Sequence, residues 1–492
     1  MSLREHLGGI FKSQSELDLT DGPILRSLFF LSVPIVITNL LQVGYNLADT
    51  FWLGRYSTNA LAAISLGFPL VFLFISLGLG LTVAGSVLVA QHTGADQPGE
   101  AQYAASQTVV FTLLAGLLIG GVGYWVIDEL LQVFGAEPDV LGLATAYMEI
   151  ITLGLPFLFG FTVFIALMRG AGDTVTPMLV MFGTVVLNVA IDPVLIFGWG
   201  PLPELGVEGA AVATVFSRGA AMVVGLWLML RGAHGIQINL REMWPDLAYS
   251  KKLLRIGLPA SLENTGRAVS VNMVLIIVTL FSTPVVAAFG VGLRVFSMVF
   301  MPAIAIDRGV EAMSGQNIGA GNLDRVSTIN RWAAGVSFLL LSAIGVVTVV
   351  FAPDIIRVFD DTPAVVAEGA TFLRWIAPTF GFVGILRAYS GGFRGAGKTL
   401  TAAVIAVVLF GFIRLPIAYV ASQGLIPLDI WIFGSKTPEG IWLAFAVSGV
   451  IAAVVAAVWF ERGTWRDGNL TSDAASPVGD DSDPTTDPAA DD

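Results

Sequence analysis

The stretch MRGAGDTVTPM, at residues 168–178, recurs 225 residues later as FRGAGKTLTAA, at residues 393–403. The same offset places Gln91 on Gln316 and holds without a gap over roughly residues 34–176. Biased composition produces scattered matches, but it does not produce one register over this length. The chain therefore contains a duplicated half, which is far longer than the unit of a solenoid repeat.

Composition places both halves in a membrane. Hydrophobic residues form 55% of the 492-residue chain and charged residues only 13%, which is too little polar surface for a soluble domain of this size. A helix needs about 20 residues to cross the bilayer core, and a spanning segment of this length must be helical. Twelve apolar stretches are long enough: 26–53, 60–90, 103–127, 140–168, 175–198, 207–231, 253–281, 285–313, 328–352, 364–390, 399–423 and 438–461.

Lysine and arginine predict the orientation, because cytoplasmic loops retain positive charge. With the N-terminus inside, fifteen basic residues lie on the cytoplasmic side and three, Arg55, Arg357 and Lys436, lie outside. Both termini are therefore expected in the cytoplasm. Six crossings per half give the two halves the same orientation, related by an axis along the membrane normal, and such repeats are found in secondary transporters.

The chain is expected to divide into five parts. No signal peptide is predicted at the polar N-terminus, and the end of the chain, with eight Asp after Arg466, cannot bury a core. The parts are a cytoplasmic N-terminal segment (1–23), an N-lobe (24–231), a cytoplasmic linker (232–252), a C-lobe (253–462) and an acidic disordered cytoplasmic tail (463–492).

The first predicted span carries polar side chains that are costly in lipid. Asn39, Gln42, Asn46 and Asp49 recur at spacings of three, four and three residues, so they share one face of a helix. Tyr45 lies one turn before Asp49 and can reach the same site. This face must contact protein or water, and Gln42, Tyr45 and Asn46 are therefore candidates for contact with a substrate.

The fifth predicted span has a similar feature in Asn188 and Asp192, which lie one turn apart and precede Pro193. A buried carboxylate is costly unless it is protonated, paired or bound to a cation. Asp49 and Asp192 therefore suggest a cation site, and carboxylate and amide oxygens suit both H⁺ and Na⁺. The alternative is that both acids only hydrogen-bond neighbouring asparagines and so hold helices together.

The second half does not copy this site, since the offset places Asp49 on Val274 and Asn188 on Ile413. Acids and bases are nearly balanced within its spans, which favours ion-pair networks. A substrate or gating surface that lines a cleft is the other interpretation. These charged residues are Glu263, Arg267, Arg294, Asp307, Arg308, Glu311, Arg387 and Arg414.

One motif suggests a nucleotide site and is rejected. Residues 392–399 match the phosphate-binding pattern G-x-x-x-x-G-K-[ST]. That pattern binds nucleotide only between a strand and a helix, whereas here it follows a membrane helix and its counterpart in the first half has Asp173 in place of lysine. We expect a short basic cytoplasmic turn with Thr399 as the cap of the next helix, no ATP and no other cofactor. The three histidines are far apart in sequence and suggest no metal cluster.

Together with the twelve spans and the two RGAG turns, the motifs VAQHTGAD (89–96) and SGQNIGAG (314–321) resemble the multidrug and toxic compound extrusion (MATE) family. The resemblance covers roughly residues 24–462, and the motif NVAIDP (188–193) is most similar to the archaeal and DinF-like branch. It implies an all-α membrane protein with twelve transmembrane helices. These form two parallel-oriented six-helix lobes, related by a pseudo-twofold axis along the membrane normal.

The resemblance also implies the residues of a site. In that branch an Asp of the first helix, an Asn and an Asp of the fifth and a Thr of the sixth bind the coupling cation, H⁺ or Na⁺. The matching residues here are Asp49, Asn188, Asp192 and Thr214. Pro34 matches a proline at which the first helix is proposed to bend, and we expect it to act as a hinge. Another branch uses an acidic residue of the seventh helix, where this chain has Arg267 with Glu263 one turn earlier.

The function expected from this resemblance is secondary active efflux, in which amphiphilic, often cationic compounds leave the cell in exchange for inward H⁺ or Na⁺. The alternative is a lipid or lipid-linked oligosaccharide flippase of the same superfamily; twelve spans and an acidic first lobe argue against it, whereas Arg267, Arg294 and Arg308 are consistent with it. An enzyme is not expected, because the spans hold no Cys or His and no spaced metal motif. We expect a monomer in the cell membrane that contacts lipid and binds small molecules but no nucleic acid.

Overall fold

The computed structural model describes residues 18–133, 138–200, 203–232, 235–425 and 436–471. Within these ranges every regular element is a helix and no strand occurs. Nine helices of this described part are long and apolar enough to cross a membrane, and two bent pairs bring the number to eleven. The all-α membrane fold expected from the sequence is confirmed.

Six membrane helices form the N-lobe. The fourth is a pair that bends by 52° at Gly154, where Pro156 follows and cannot donate a backbone hydrogen bond. The helices are α1 (Ile24–Tyr56), α2 (Thr58–Gly94), α3 (Pro98–Val133), α4 (Pro138–Leu153 and Leu155–Gly170), α5 (Val175–Phe197) and α6 (Gly206–Leu230).

The C-lobe repeats this order. Its first helix, α7, carries Glu263 and Arg267 and is not one of the eleven apolar spans, so it accounts for the twelfth stretch predicted from the sequence. The second helix is a pair bent by 42°. The helices are α7 (Leu247–Val278), α8 (Thr283–Val299 and Met301–Gly319), α9 (Leu323–Val350), α10 (Pro363–Gly395), α11 (Thr399–Ser422) and α12 (Glu439–Glu461).

Local sequence signals explain several helix ends. The Ser57 side chain accepts a hydrogen bond from the Ala60 amide at 3.0 Å and so caps the start of α2. Asp246 caps α7 in the same way through the amide of Ala248. Gly198, with φ 67°, ends α5 in the left-handed conformation that glycine adopts without strain. The chain then turns back and continues as α6, so α5 and α6 are neighbours in the same lobe.

The motifs repeated at the 225-residue offset join the two lobes. The Gln91 side chain of α2 donates to the carbonyl of Gly395 at 2.9 Å, and its counterpart Gln316 of α8 donates to the carbonyl of Gly170 at 3.0 Å. Each lobe therefore binds the RGAG turn of the other. The lobes meet along α2, which packs against α7 and α8. The recurring residues form the contact that holds this end of the molecule closed.

The turn at 392–399 was expected to be a short basic cytoplasmic turn with Thr399 as a cap, and the structure shows that its arginine is buried. Arg394 is 3% exposed and lies against the carboxylates of Glu263 and Glu311. Thr399 does not cap α11; its hydroxyl donates to the carbonyl of Ile256 at 2.7 Å. Residues 392–399 join two membrane helices, and no strand precedes them in the described part of the chain. The expectation that they bind no ATP stays a prediction.

The prediction of a disordered tail from residue 463 is wrong for its first nine residues. Residues 463–471, here called the C-terminal strap, pack along the end where the lobes meet. Trp465 is 1% exposed and donates to the Phe460 carbonyl at 2.9 Å. The Leu470 amide donates to the Gln91 side chain at 2.7 Å, and its carbonyl accepts from Lys252 at 2.9 Å. The predicted disorder of 472–492 lies outside the described residues, as does most of the predicted N-terminal segment.

The strap also binds the C-lobe through charge. Lys398 lies 3.0 Å from the Asp467 carboxylate, and this contact holds the pKa of Asp467 below its ordinary value. The strap follows the last helix of the C-lobe and contacts Gln91 of the N-lobe, so the strap connects the two lobes. No composition signal predicted this, since one Trp and one Leu in an Asp-rich segment do not mark a packed region.

Truncation after Gly463 is expected to lower the melting temperature by several degrees. It removes the buried Trp465 and the strap's hydrogen bonds to Gln91 and Lys252, each of which contributes about 0.5–1.5 kcal/mol. Truncation after Thr471 retains these contacts and is the matched control. Thermal unfolding of the purified protein in detergent measures both. Equal melting temperatures for the two truncated forms would show that the strap does not stabilise the fold.

Candidate cation and substrate site in the N-lobe

A cavity of about 390 Å³ opens within the N-lobe beside the polar face of α1. Its walls combine aromatic and aliphatic side chains with a few polar groups, which is the usual character of a small-molecule site. The residues that line it include Thr38, Asn39, Gln42, Tyr45, Asn46, Asp49, Phe68, Phe72, Phe161, Thr214 and Arg218. The polar face predicted from the sequence thus lines a cavity.

The structure brings the predicted acids together. Asp49 of α1 and Asp192 of α5 are both buried, and their carboxylates are close enough to interact electrostatically. Asn188 is fully buried one turn from Asp192 and donates to its Oδ1 at 3.0 Å. This bond lies within α5, so it does not join two helices. The interpretation of these residues as interhelical hydrogen bonds therefore explains only part of the arrangement.

Three buried oxygens of this cluster have no donor among the described residues. They are Oδ1 of Asp49, Oδ1 of Asn188 and Oδ2 of Asp192. A buried acceptor without a partner is costly, and two adjacent carboxylates cannot both stay ionised without a compensating charge. Carboxylate and amide oxygens are ligands that suit a proton or a hard cation. The arrangement is therefore able to bind one.

Thr214 and Tyr45 close the cluster from the side of α6. The Tyr45 hydroxyl donates to Thr214 Oγ1 at 2.9 Å, and the Thr214 hydroxyl also lies beside Asp49. Tyr45 is almost fully buried, whereas Gln42 and Asn46 are half-buried and line the cavity. Tyr45 is therefore placed mainly to support the acids, and Gln42 and Asn46 are the more accessible of the three substrate candidates.

Arg218 of α6 was missed by the sequence analysis. It is 9% exposed, it donates to Gln42 Oε1 at 2.6 Å, and its guanidinium lies 4.6 Å from the centre of the Tyr45 ring. Gln42 in turn donates to Asn46 at 3.0 Å. An arginine inside the apolar segment 206–230 was a visible signal. With Asp49 and Asp192 ionised, Arg218 leaves the site one net negative charge, which a single H⁺ or Na⁺ would neutralise.

Pro34 lies within α1, which continues through it as a helix. Its carbonyl accepts a hydrogen bond from the Thr38 hydroxyl at 2.8 Å. Pro34 is buried fifteen residues before Asp49 on the same helix. The role of this proline as a hinge stays a prediction.

The acids of the C-lobe are paired. Arg394 lies 3.0 Å from both Glu263 and Glu311 and also contacts Asp307. Arg169 reaches Glu311 from the N-lobe at 3.8 Å. These three buried carboxylates therefore belong to the ion-pair network favoured by the sequence. One of their oxygens, Glu311 Oε1, has no hydrogen-bond donor among the described residues, but the Arg169 guanidinium lies 3.8 Å from it, whereas no salt bridge is formed by Asp49 or Asp192 in the described part of the chain.

Two lobes of like topology, buried acids beside a cavity and a closed contact at one end define a multi-pass membrane transporter. The MatE family model matches residues 34–194 and 259–420. The two matches begin 225 residues apart, which is the offset of the internal repeat. The chain belongs to the MatE family.

Similar proteins agree with this assignment. The chain is 31% identical over 453 residues to the "Probable multidrug resistance protein YpnP" of Bacillus subtilis (strain 168), across 91% of this chain and 97% of that protein. It is 27% identical to the "Probable multidrug resistance protein NorM" of Thermotoga maritima, across 90% and 93%. A solved structure described as "Crystal structure of MATE in the bent conformation" superposes with a TM-score of 0.83 at 24% identity, covering 92% of this chain and 98% of that one. The expected two-lobe, twelve-helix fold is confirmed.

Proposed function

We propose that this protein is a secondary active antiporter that exports amphiphilic, often cationic compounds in exchange for inward H⁺ or Na⁺. The observation that carries the proposal is the group of three unpaired oxygens on Asp49, Asn188 and Asp192 beside the N-lobe cavity. Relatives named as multidrug resistance proteins support the substrate class. The same cavity offers apolar walls for the body of an amphiphile and amide groups for its polar end.

Coupling follows from the charge of the site. A cation that neutralises Asp49 and Asp192 changes the stability of the state in which they are buried, and a substrate that prefers another state is then linked to it. Inward movement of one positive charge is worth about 2.3 kcal/mol per 100 mV. A bend of α1 at Pro34 would carry Asp49 and the cavity wall together. Thr214 and Tyr45 hold the geometry of the acids.

The remaining features of the proposal concern placement. The end closed by Gln91, Gln316 and the strap is the end predicted to be cytoplasmic, so this conformation would open outward. We place the protein in the cell membrane with both termini inside, as a monomer surrounded by lipid, without a cofactor and without nucleic acid as a partner.

Reconstituted vesicles test the function and identify the ion. A fluorescent cationic dye is loaded, and a pH gradient and a Na⁺ gradient are imposed separately, each at zero membrane potential. We expect one gradient to drive dye transport at least about tenfold faster than the no-gradient control, which corresponds to about 1.4 kcal/mol of barrier. Transport that ignores both gradients would contradict the proposal. As an internal control, an ionophore that dissipates the imposed gradient is added in each experiment.

A further inference from the structure

The C-lobe ion-pair network contains more arginines than carboxylates, and its arginines range from buried to half-buried. Its ion-pair network holds three carboxylates, Glu263, Asp307 and Glu311, and each of them contacts more than one guanidinium. Four arginines of the C-lobe, Arg267, Arg308, Arg387 and Arg394, and Arg169 of the N-lobe face these three acids. The sequence therefore suggested a balance that the structure does not have, and the network carries a positive charge.

Arg414 adds to this excess and has no acidic partner. It lies in α11 directly after the π-helical turn Val408–Ile413 and is 7% exposed. Its Nε donates to the Ser448 hydroxyl at 2.9 Å, and its guanidinium stacks over Phe410 at 4.4 Å and Phe445 at 4.2 Å. No ion pair to Arg414 occurs among the residues that the structure describes. Its Nη groups thus remain available to an acceptor.

Arg267 approaches the same aromatic ring. Its guanidinium lies 5.6 Å from the centre of Phe410, and its Nε is buried without an acceptor among the described residues. Two guanidinium groups therefore flank Phe410, while only Arg267 has a carboxylate, Glu263, at 2.7 Å. Aromatic faces compensate a buried cation only in part. An uncompensated charge at membrane depth is costly and usually marks a binding site.

The helices that correspond to each other in the internal repeat differ in polarity. The 225-residue offset places Ile413 on Asn188 of the cation site and Arg414 itself on Val189, so α11 is the counterpart of α5. Near these helices the N-lobe has oxygens without donors, whereas in the C-lobe Arg414 bonds only the neutral Ser448 hydroxyl and Arg267 Nε has no acceptor among the described residues. The first arrangement fits a cation. The second fits an anion, because arginine binds carboxylate and phosphate through two parallel hydrogen bonds.

We propose that Arg414, assisted by Arg267, forms an anion site that takes the phosphate or carboxylate headgroup of an amphiphile. The helices that carry these residues, α7 and α11, also line an apolar groove of about 600 Å³ next to Met273, Phe412 and Tyr419. Neither arginine lines this groove; the rings of Phe410 and Phe445, which stack on Arg414, supply the apolar contact that favours an amphiphile over a free inorganic ion. The site extends the proposed efflux to anionic amphiphiles and rests on that function for transport, but binding itself can be measured without any gradient.

The test uses the full-length protein in nanodiscs of zwitterionic lipid. Lysophosphatidic acid is the probe, and lysophosphatidylcholine, which has the same chain and no net charge, is the matched ligand. We expect wild type to bind the first at least tenfold more tightly. The variant Arg414→Met should lose this preference, Arg414→Lys should retain part of it, and the exposed-charge control Arg357→Met should be unchanged. Inorganic phosphate should compete for the headgroup contact.

Folding and function are checked separately. Arg414→Met removes a charge that has no acidic partner, so its melting temperature should not fall, and lysophosphatidic acid should raise the melting temperature of wild type but not of this variant. Equal affinity of wild type and Arg414→Met, or equal binding of both lipids by wild type, overturns the anion site. The variant Asp49→Asn, which is expected to lose dye efflux, should still bind lysophosphatidic acid. Failure of the efflux proposal is therefore distinguishable from failure of the anion site.

Discussion

Asp49→Asn is expected to reduce the rate of gradient-driven efflux at least about 100-fold, which corresponds to a rise of about 2.7 kcal/mol in the activation free energy of transport. Asparagine has the same shape, so Tyr45 and Thr214 can keep their positions around it. It cannot gain or lose a proton, and it withdraws one of the two charges that would attract Na⁺. With Arg218 still present, the site becomes neutral before any cation enters. A neutral site does not attract the driving cation electrostatically.

The measurement is initial dye flux into or out of vesicles under the gradient that drives wild type. Asp139→Asn is the matched control, because Asp139 is an exposed acid in the first turn of α4. Asp192→Asn should behave like Asp49→Asn, since both acids share one cation. Efflux at the wild-type rate in Asp49→Asn would remove the cation site from the N-lobe. Loss of efflux in Asp139→Asn would point to a nonspecific effect of charge.

The candidate site was largely readable from the sequence because membrane helices make polar residues conspicuous. Asp49 and Asp192 stand out by their cost in lipid, and helical spacing places each beside the correct neighbours. Thr214 was assigned only through the resemblance, since a threonine in an apolar helix carries no such signal. Arg218 carried the signal and was overlooked. Which oxygens are left without donors depends on how α1, α5 and α6 pack, which no spacing rule provides.

The sequence predicted the fold about as completely as it predicted the candidate site. The repeat, the span lengths and the charge bias predicted the order of the helices. They did not predict that the side chains of Arg169 and Arg394 belong to an ion-pair network between the lobes. The strap was missed because its contacts with Gln91 and Lys252 join residues more than 200 positions apart. Such contacts depend on the tertiary arrangement rather than on local composition.

The second large effect is expected from the glycines that allow the lobes to touch. A Cβ at Gly94 would stand 1.8 Å from the carbonyl oxygen of Gln316, and a Cβ at Gly319 would stand 1.8 Å from that of Gln91. Both obstacles are backbone atoms of helices, which cannot rotate away as a side chain does. Gly94→Ala and Gly319→Ala should therefore separate the lobes at this end. Overpacking of this kind costs about 1–3 kcal/mol or more, so the closed state should lose about 10- to 100-fold in population.

The chain has no cysteine, so spin labels on Gly99→Cys and Thr328→Cys report the distance between α3 and α9 at this end. We expect the alanine variants to shift the label distances to longer values, with the double variant shifted most, and dye efflux to fall at least about tenfold. Gly335→Ala is the control, because a Cβ there meets no atom within 4 Å. A distance distribution and an efflux rate equal to those of the control would show that lobe closure does not depend on these two contacts. Alternating access requires each side to close in turn, so efflux that persists while the distances lengthen would show that closure at this end is not required in this transport cycle.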